Sequence, residues 1–589
     1  MSESFPKGKW LFWAILIVFL ILLGRVWQLQ IIQGEKYRQL ADKNRLRLEK
    51  VNPPRGRIFD RKGRLIVGNK PSFDLFVVPA DLKGKEGFAR ELSSLLELSE
   101  EEILKRINDA RSPFEMVRLK KDLSFEELSR ISANLWDFPA LRILVSPTRV
   151  YPQGPVAPHL IGTVGEITQE EIRRLRDKGY EVGDYIGKSG LELQYEELLR
   201  GKKGGRQVEV DALGRRMRIL QEIDPQPGWD LYLNIDLDLQ LKAQSLLEGK
   251  RGAIVVMDPR NGEILAMASS PSFDPREFGR FMDPEKWRAL AEDSSHPLTN
   301  RAIQGIYAPG SVFKIIVALA ALTMGQVKPQ ESFYCPGYFT LGNRSFRCWK
   351  EEGHGSVALY KGIVQSCDVY FYQLGLRIGP KAMIEFAKWF GLGDFTGIDL
   401  PGERKGFLPH PQRGKWFGGD TVVMAIGQGR LAVTPLQLAT FISAIANDGR
   451  FYRPFLVREA RDPSGKTIHF SPQLKGEIPL SQEIFQVVKT ALEGVVEDPQ
   501  GTGRASRLEG IKVAGKTGTA QVRGMPQRVK DPLLLPYEHR DHAWFVAYAD
   551  ADYPSIAVSV LVEHGGTGGG AAAPLARELI KYWLGAQQP

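Results

Sequence analysis

One apolar stretch stands out along the chain. Trp10 to Gly24 carries no charge, Arg25 interrupts, and Val26 to Ile32 resumes with glutamine as its only polar type. As a helix these residues reach about 34 Å, enough to cross a bilayer. Arg25 lies near the far end, where a long side chain snorkels to the headgroups. The bulky Gly24-Arg25-Val26-Trp27 offers no small-x-small cleavage site, so an uncleaved signal anchor is expected over 10–32. Lys7 and Lys9 favour a cytoplasmic tail over 1–9. The basic residues just beyond the span (Lys36, Arg38, Lys43, Arg45, Arg47, Lys50) argue mildly the other way.

Beyond the span, Tyr37 to Val51 reads as a polar helix that Asn52-Pro53-Pro54 breaks. A basic, turn-rich run follows, Arg55 to Arg64, in which an extended Ile58-Phe59 would face two ways. Short helices are expected over 86–98, 99–110 and 124–134, the last opened by the capping box Ser124-Phe125-Glu126-Glu127. A further helix is expected over 190–200 and a strand at Gln207 to Val210.

At Asp236 the pattern changes. Leu237 to Leu247 is amphipathic, and Gly252 to Asp258 is a β-branched run typical of a buried strand. Asn261-Gly262 turns the chain into a returning strand, Glu263 to Ala268. Near the other end, Ala543 to Ala549 and Ile556 to Val562 read as adjacent strands, closed by a helix over 573–584. Strands at both ends with helices between predict one sheet built from the two ends of an α+β domain. The expected organisation is a tail (1–9), an anchor (10–32), a non-catalytic pedestal (33–235) and a catalytic domain (236–589).

Composition changes this picture little. In 589 residues, 43% hydrophobic and 25% charged are ordinary globular values. They exclude a polytopic membrane protein and a mostly disordered one. The net charge of +10 admits nucleic acid, anionic lipid or an acidic polymer as partner. Three cysteines exclude a disulfide-rich scaffold.

Candidate chemistry centres on Ser311-Val312-Phe313-Lys314, followed by the apolar run Ile315 to Met324. A serine and a lysine three apart at a helix start share one face. A neutral lysine there takes the serine proton, and the helix dipole favours the alkoxide. Such spacing alone is weak; Ser4-Phe5-Pro6-Lys7 matches it by chance. Two further motifs give it weight: Ser366-Cys367-Asp368, and Lys516-Thr517-Gly518-Thr519 after an expected strand at Ile511 to Ala514. A second serine relays protons, a Lys-Thr pair on an edge strand binds a carboxylate, and a glycine admits close backbone approach. No histidine stands beside a serine motif, which disfavours a Ser-His-Asp enzyme. The trio in this order is the signature of serine β-lactamases and penicillin-binding proteins.

On these motifs the chain resembles the class B penicillin-binding proteins over nearly its whole length. Arg55 to Arg61, Gly187 to Gly201, Gly252 to Pro275, Gly427-Gln428-Gly429, Thr434-Pro435 and His542 to Phe545 carry the resemblance further. Asp368 with Val369 to Tyr372 points to the elongation-specific branch, penicillin-binding protein 2, ahead of the septal branch. The resemblance implies a bitopic D,D-transpeptidase. Its span lies in the cytoplasmic (inner) membrane, and its catalytic domain is extracytoplasmic. Ser311 would attack the stem peptide between its last two D-alanines. Lys314 would act as base, and Ser366 would relay a proton to the leaving amine. Lys516 and Thr517 would hold the terminal carboxylate, beside Gly518 and an oxyanion hole from the N–H groups of Ser311 and Thr519. β-Lactams would acylate the same serine. A SEDS-family glycosyltransferase of the RodA type is the implied membrane partner. Activation of that polymerase is a second role, and a non-catalytic scaffold is the alternative reading. A carboxypeptidase or β-lactamase would pass the acyl group to water instead. Nucleic acid drops out as a partner. Asp368 departs from the commoner Asn; an anion there weakens Lys314 as a base unless it is protonated or paired.

Catalysis implies no cofactor. Cys335, Cys348, His354 and Cys367 nevertheless cluster in sequence, and three thiols with one imidazole suit tetrahedral zinc in a structural site. A Cys335–Cys348 disulfide with Cys367 free, or three free thiols, are the alternatives. Some relatives hold zinc there through carboxylate, His and Cys ligands, so the carry-over is partial.

Overall fold

The computed structural model describes residues 7–37, 46–82, 84–110, 113, 116–210, 216–278, 284–412, 414–522, 534–550 and 553–586. Its contacts form two compact units that interleave along the chain. One comprises Met1–Arg55, Lys70–Thr148 and Gly201–Pro227; the other Gly56–Asn69, Arg149–Arg200 and Gly228–Pro589. Neither unit follows a single cut at Asp236. Segments 56–69 and 149–200, assigned by sequence to the pedestal, belong to the compact unit that holds the catalytic motifs.

The first unit contains the N-terminal helix Lys7–Trp27, continued by the wider turn Gln28–Ile32. Trp10–Ile32 is long and apolar enough to cross a membrane. Leu46–Val51, expected as helix, is a strand paired antiparallel with Gly204–Val210, which in turn pairs with Arg216–Ile223. The Leu-Arg-Leu-Glu alternation has a strand's period, and a partner far along the chain overrides the local helical composition. Residues 38–45 of that expected helix lie outside the described residues. Helices Lys85–Leu95, Glu100–Asn108 and Phe125–Ala133 share a core with Leu75, Val77 and Leu119. Both halves of the Ser124 capping box form.

In the second unit, Ile58 is buried and Phe59 half-buried, as an extended pair requires. The expected helix over 190–200 is interrupted at Tyr195, giving Gly190–Gln194 and Glu196–Leu199. Among the described residues, five strands form an antiparallel sheet: β1 (Gly252–Met257), β2 (Ile264–Ser270), β3 (Val513–Ala520), β4 (His542–Ala549) and β5 (Ile556–Val562). Their order is β2-β1-β5-β4-β3, so β3 is an edge. The two chain ends thus meet in one sheet, as expected.

That sheet is buried on both faces, which explains its near-continuous apolar strands. Ile254 and Val256 pack with α1 (Leu237–Leu246) and α6 (Ala573–Ala586). Ala253 and Val255, one residue out of phase, join the larger core that includes α2 (Lys314–Thr323), α3 (Asp368–Trp389) and α4 (Pro435–Ala446). Helix α5 (Gln482–Glu497) packs along edge strand β3. A non-helical Gly379 before Pro380 kinks α3. Helix α2 is apolar on every side and is buried on every side.

Candidate active site

Three separate segments bring the sequence motifs together. Ser311 lies in a tight helical turn, Gly310–Phe313, that feeds directly into α2. It is half-buried, whereas Lys314, at the first position of α2, is fully buried. Ser366 and Asp368 sit at the start of α3, and Lys516, Thr517 and Gly518 lie within edge strand β3. The strand begins at Val513, two residues later than expected, and therefore includes the whole Lys-Thr-Gly motif.

Lys314 is the hub. Its Nζ donates to the Ser366 carbonyl at 2.8 Å, to Ser366 Oγ at 3.2 Å and to Asp368 Oδ1 at 2.7 Å. An ammonium has three N–H donors, and here three acceptors receive them. The second oxygen of Asp368 accepts the Trp349 backbone N–H at 2.8 Å. Asp368 is thus paired on both sides. Ser366 adopts a left-handed backbone, with φ of 52°, a strained setting for a non-glycine residue.

Lys516 is fully buried, with its Nζ 3.2 Å from the Thr517 carbonyl oxygen. Burial holds it well below the ordinary lysine range; the nearby Lys314 adds to this and Asp368 offsets part of it. Thr517 Oγ1 donates to Thr502 Oγ1 at 2.8 Å.

Two glycines let the serine turn and the edge strand touch. Gly310 has φ of +56°, and a Cβ there would lie 2.6 Å from the Thr519 carbonyl oxygen. A Cβ on Gly518 would lie 2.8 Å from the Pro309 carbonyl oxygen. Gln428 Nε2 donates to the Thr519 carbonyl at 2.8 Å, and Trp544 Nε1 donates to Ala308 at 3.0 Å. The first bond holds the end of strand β3, and the second ties strand β4 to the segment just before the nucleophile turn.

Behind the second motif lie Cys335, Cys348, His354 and Cys367, all buried, their potential ligand atoms within 4.8 Å of one another. The cysteines are free, so no Cys335–Cys348 disulfide is present. His354 Nδ1 faces the Cys335 and Cys348 sulfurs at 3.6 and 3.5 Å. A thiol hydrogen bond from Cys367 holds the Cys348 thiol well down, and Cys367 is pushed up correspondingly.

Sequence reasoning missed Trp349, Thr502 and, as a contact of Thr519, Gln428. Gln428 stood in a quoted motif without a role. An aromatic residue next to Cys348 was the available signal for Trp349. Thr502 had none.

Residues 252–581 match the penicillin-binding protein transpeptidase domain, and residues 50–233 match the penicillin-binding protein dimerisation domain. The chain belongs to the class B penicillin-binding proteins. Its branch is penicillin-binding protein 2, whose members are peptidoglycan D,D-transpeptidases. The peptidoglycan D,D-transpeptidase MrdA of Acinetobacter baumannii is 38% identical over 582 residues, covering 97% of this chain and 86% of that protein. A complex of penicillin-binding protein 2 with MreC from Helicobacter pylori superposes with a TM-score of 0.80 at 30% identity, covering 92% of this chain and 99% of that one. A structure described as coordinating polymerization and crosslinking in a peptidoglycan synthase complex gives a TM-score of 0.73 at 30% identity, covering 99% of both chains. Peptidoglycan and β-lactams fit this family as ligands.

Proposed function

We propose that the chain cross-links peptidoglycan through a serine acyl-enzyme during cell elongation. The observation that carries this reading is the buried Lys314, hydrogen-bonded at once to Ser366 and Asp368, one helical turn from Ser311. Lys314 acts as the base, held in place by Ser366 Oγ and Asp368 Oδ1. Ser311 Oγ then attacks the carbonyl of the penultimate D-alanine and passes its proton to Lys314. The N–H groups of Ser311 and Thr519 stabilise the oxyanion. The C–N bond breaks, Ser366 relays a proton to the departing D-alanine amine, and an ester remains on Ser311. An amine of a second stem peptide attacks that ester, and the serine recovers its proton. Lys516 and Thr517 hold the substrate carboxylate, whose charge favours the protonated lysine against the burial that disfavours it.

The Cys₃His cluster is read as a structural zinc site. Tetrahedral zinc–thiolate bonds of about 2.3 Å put sulfurs about 3.8 Å apart, and the four donor atoms already lie within 4.8 Å. The histidine turns Nδ1 toward the sulfurs, while its Nε2 is buried without a hydrogen bond. When bound, the metal supplies structure, fixing Cys367 and the motif around it. The N-terminal helix anchors the protein once in the inner membrane, with the tail inside and the catalytic domain outside. A SEDS-family glycosyltransferase of the RodA type is the proposed partner; the similarity to a chain of a peptidoglycan synthase complex supports this.

Fluorescent penicillin tests the reading. The wild-type chain takes up one label per chain, and Ser311→Ala takes up none. Persistent labelling of Ser311→Ala overturns the serine assignment.

A further inference from the structure

Trp349 and Lys314 bind the same two groups from different directions. The Trp349 indole Nε1 donates to the carbonyls of Gln365 at 2.9 Å and Ser366 at 3.1 Å, and its backbone N–H donates to Asp368 Oδ2 at 2.8 Å. Lys314 takes the same Ser366 carbonyl at 2.8 Å and the other carboxylate oxygen at 2.7 Å. The Gln365–Ser366 turn that the indole spans is the one in which Ser366 is left-handed. Such a conformation persists only where surrounding contacts hold it.

The placement of Trp349 is itself fixed. It follows Cys348 directly, its ring meets His354 edge-on at 5.4 Å, and Cys367 lies between the two residues that it grips. The residue is nonetheless 41% exposed. A tryptophan needed only for packing would be expected to bury more of its ring. Here the residue lies partly in solvent while both N–H groups reach inward.

We propose that Trp349 is a positioning residue for acyl transfer, holding the Ser366 carbonyl and the Asp368 carboxylate where Lys314 meets both. The inference rests on the serine acyl-enzyme reading above. Without the indole donor, the turn carrying Ser366 relaxes and Ser366 Oγ leaves Lys314. Noncovalent binding of the substrate carboxylate, assigned to Lys516 and Thr517, is untouched.

Trp349→Phe removes the indole N–H and keeps a ring and the backbone N–H. The full-length chain in detergent is acylated with fluorescent penicillin across a concentration series. This separates the dissociation constant of the first complex from the acylation rate constant. The expected result is a rate constant about tenfold lower, with the dissociation constant, final labelled fraction and Tm unchanged. Trp349→Ala should match Trp349→Phe in rate if the donor is what matters. A wild-type rate for Trp349→Phe overturns the proposal. So does a parallel loss of labelled fraction and Tm, which marks a packing role. Failure of the underlying reading is recognised separately, by absent labelling of the wild type or persistent labelling of Ser311→Ala.

Discussion

The amine of Lys314 and the carboxylate of Asp368 meet at 2.7 Å, one fully buried and the other nearly so. An unpartnered carboxylate at this depth would cost several kcal/mol, so its two hydrogen-bonded oxygens are what make it tolerable. Asn at this position keeps an acceptor oxygen and a similar shape but removes the charge. Asp368→Asn is therefore expected to retain penicillin acylation within about tenfold of wild type. Asp368→Ala strips an acceptor from both Lys314 and Trp349 and should lose at least a hundredfold. Second-order acylation rates of the two variants check this; equal rates would show that the contact is incidental.

Lys516 illustrates a site that is held against its own solvation. Its folded affinity for a proton is depressed chiefly by burial and then by Lys314. Between that depressed value and the ordinary lysine range the unfolded chain binds more protons, so this group's contribution to stability falls as pH drops. At neutral pH it opposes folding. Lys516→Met should raise Tm by a few degrees while lowering acylation by two to three orders of magnitude, a trade of stability for function. Thermal melts and labelling rates on the same sample test it. A lower Tm with the same loss of rate would mean that the lysine stabilises the resting fold.

The catalytic side chains were legible because each is local: Ser311 and Lys314 share a turn, Ser366 and Asp368 open a helix, and Lys516 to Thr519 occupy one strand. The sheet was legible for the same reason, since its runs are apolar on both faces. What escaped were relationships set by distant segments. Leu46–Val51 becomes a strand because Gly204–Val210 offers it an edge, and composition near Lys36 to Lys50 argued otherwise. Trp349 acts on Asp368 through a backbone N–H, a donor that every residue type but proline carries. The interleaved units likewise follow contacts between segments that lie far apart in sequence, with no composition shift to mark them.

Two half-buried histidines set an acid limit. His159 and His542 are each lowered to about 4, mainly by burial, with Arg301 adding to the first and His564 to the second. His542 Nδ1 accepts the His564 backbone N–H at 3.0 Å, so protonation there breaks a bond as well as burying a charge. Each histidine stabilises the fold fully above an unfolded value of about 6.5, and that contribution is lost as pH falls toward 4. The loss is on the order of 3 kcal/mol per group over that window. Tm should therefore decline between pH 6.5 and 4.5, and the slope should flatten in His159→Gln and His542→Gln. An unchanged slope in both variants would assign the acid limit to other groups.

The cysteine cluster yields the last prediction. Cys367 lies between Ser366 and Asp368, and Cys348 precedes Trp349, so two ligands of one proposed metal bracket the contacts around Lys314. Purified protein should carry about one zinc per chain, and Cys348→Ser or Cys367→Ser should carry none. A strong chelator should expose three titratable thiols, lower Tm and slow acylation together. Restoring zinc should recover all three readouts, because binding free energy at such a site is folding free energy. Metal-free protein that melts and acylates like the metal-loaded form would show that the four side chains pack without an ion. Blocked thiols that only a reductant releases would instead identify a disulfide, against the free cysteines of the fold.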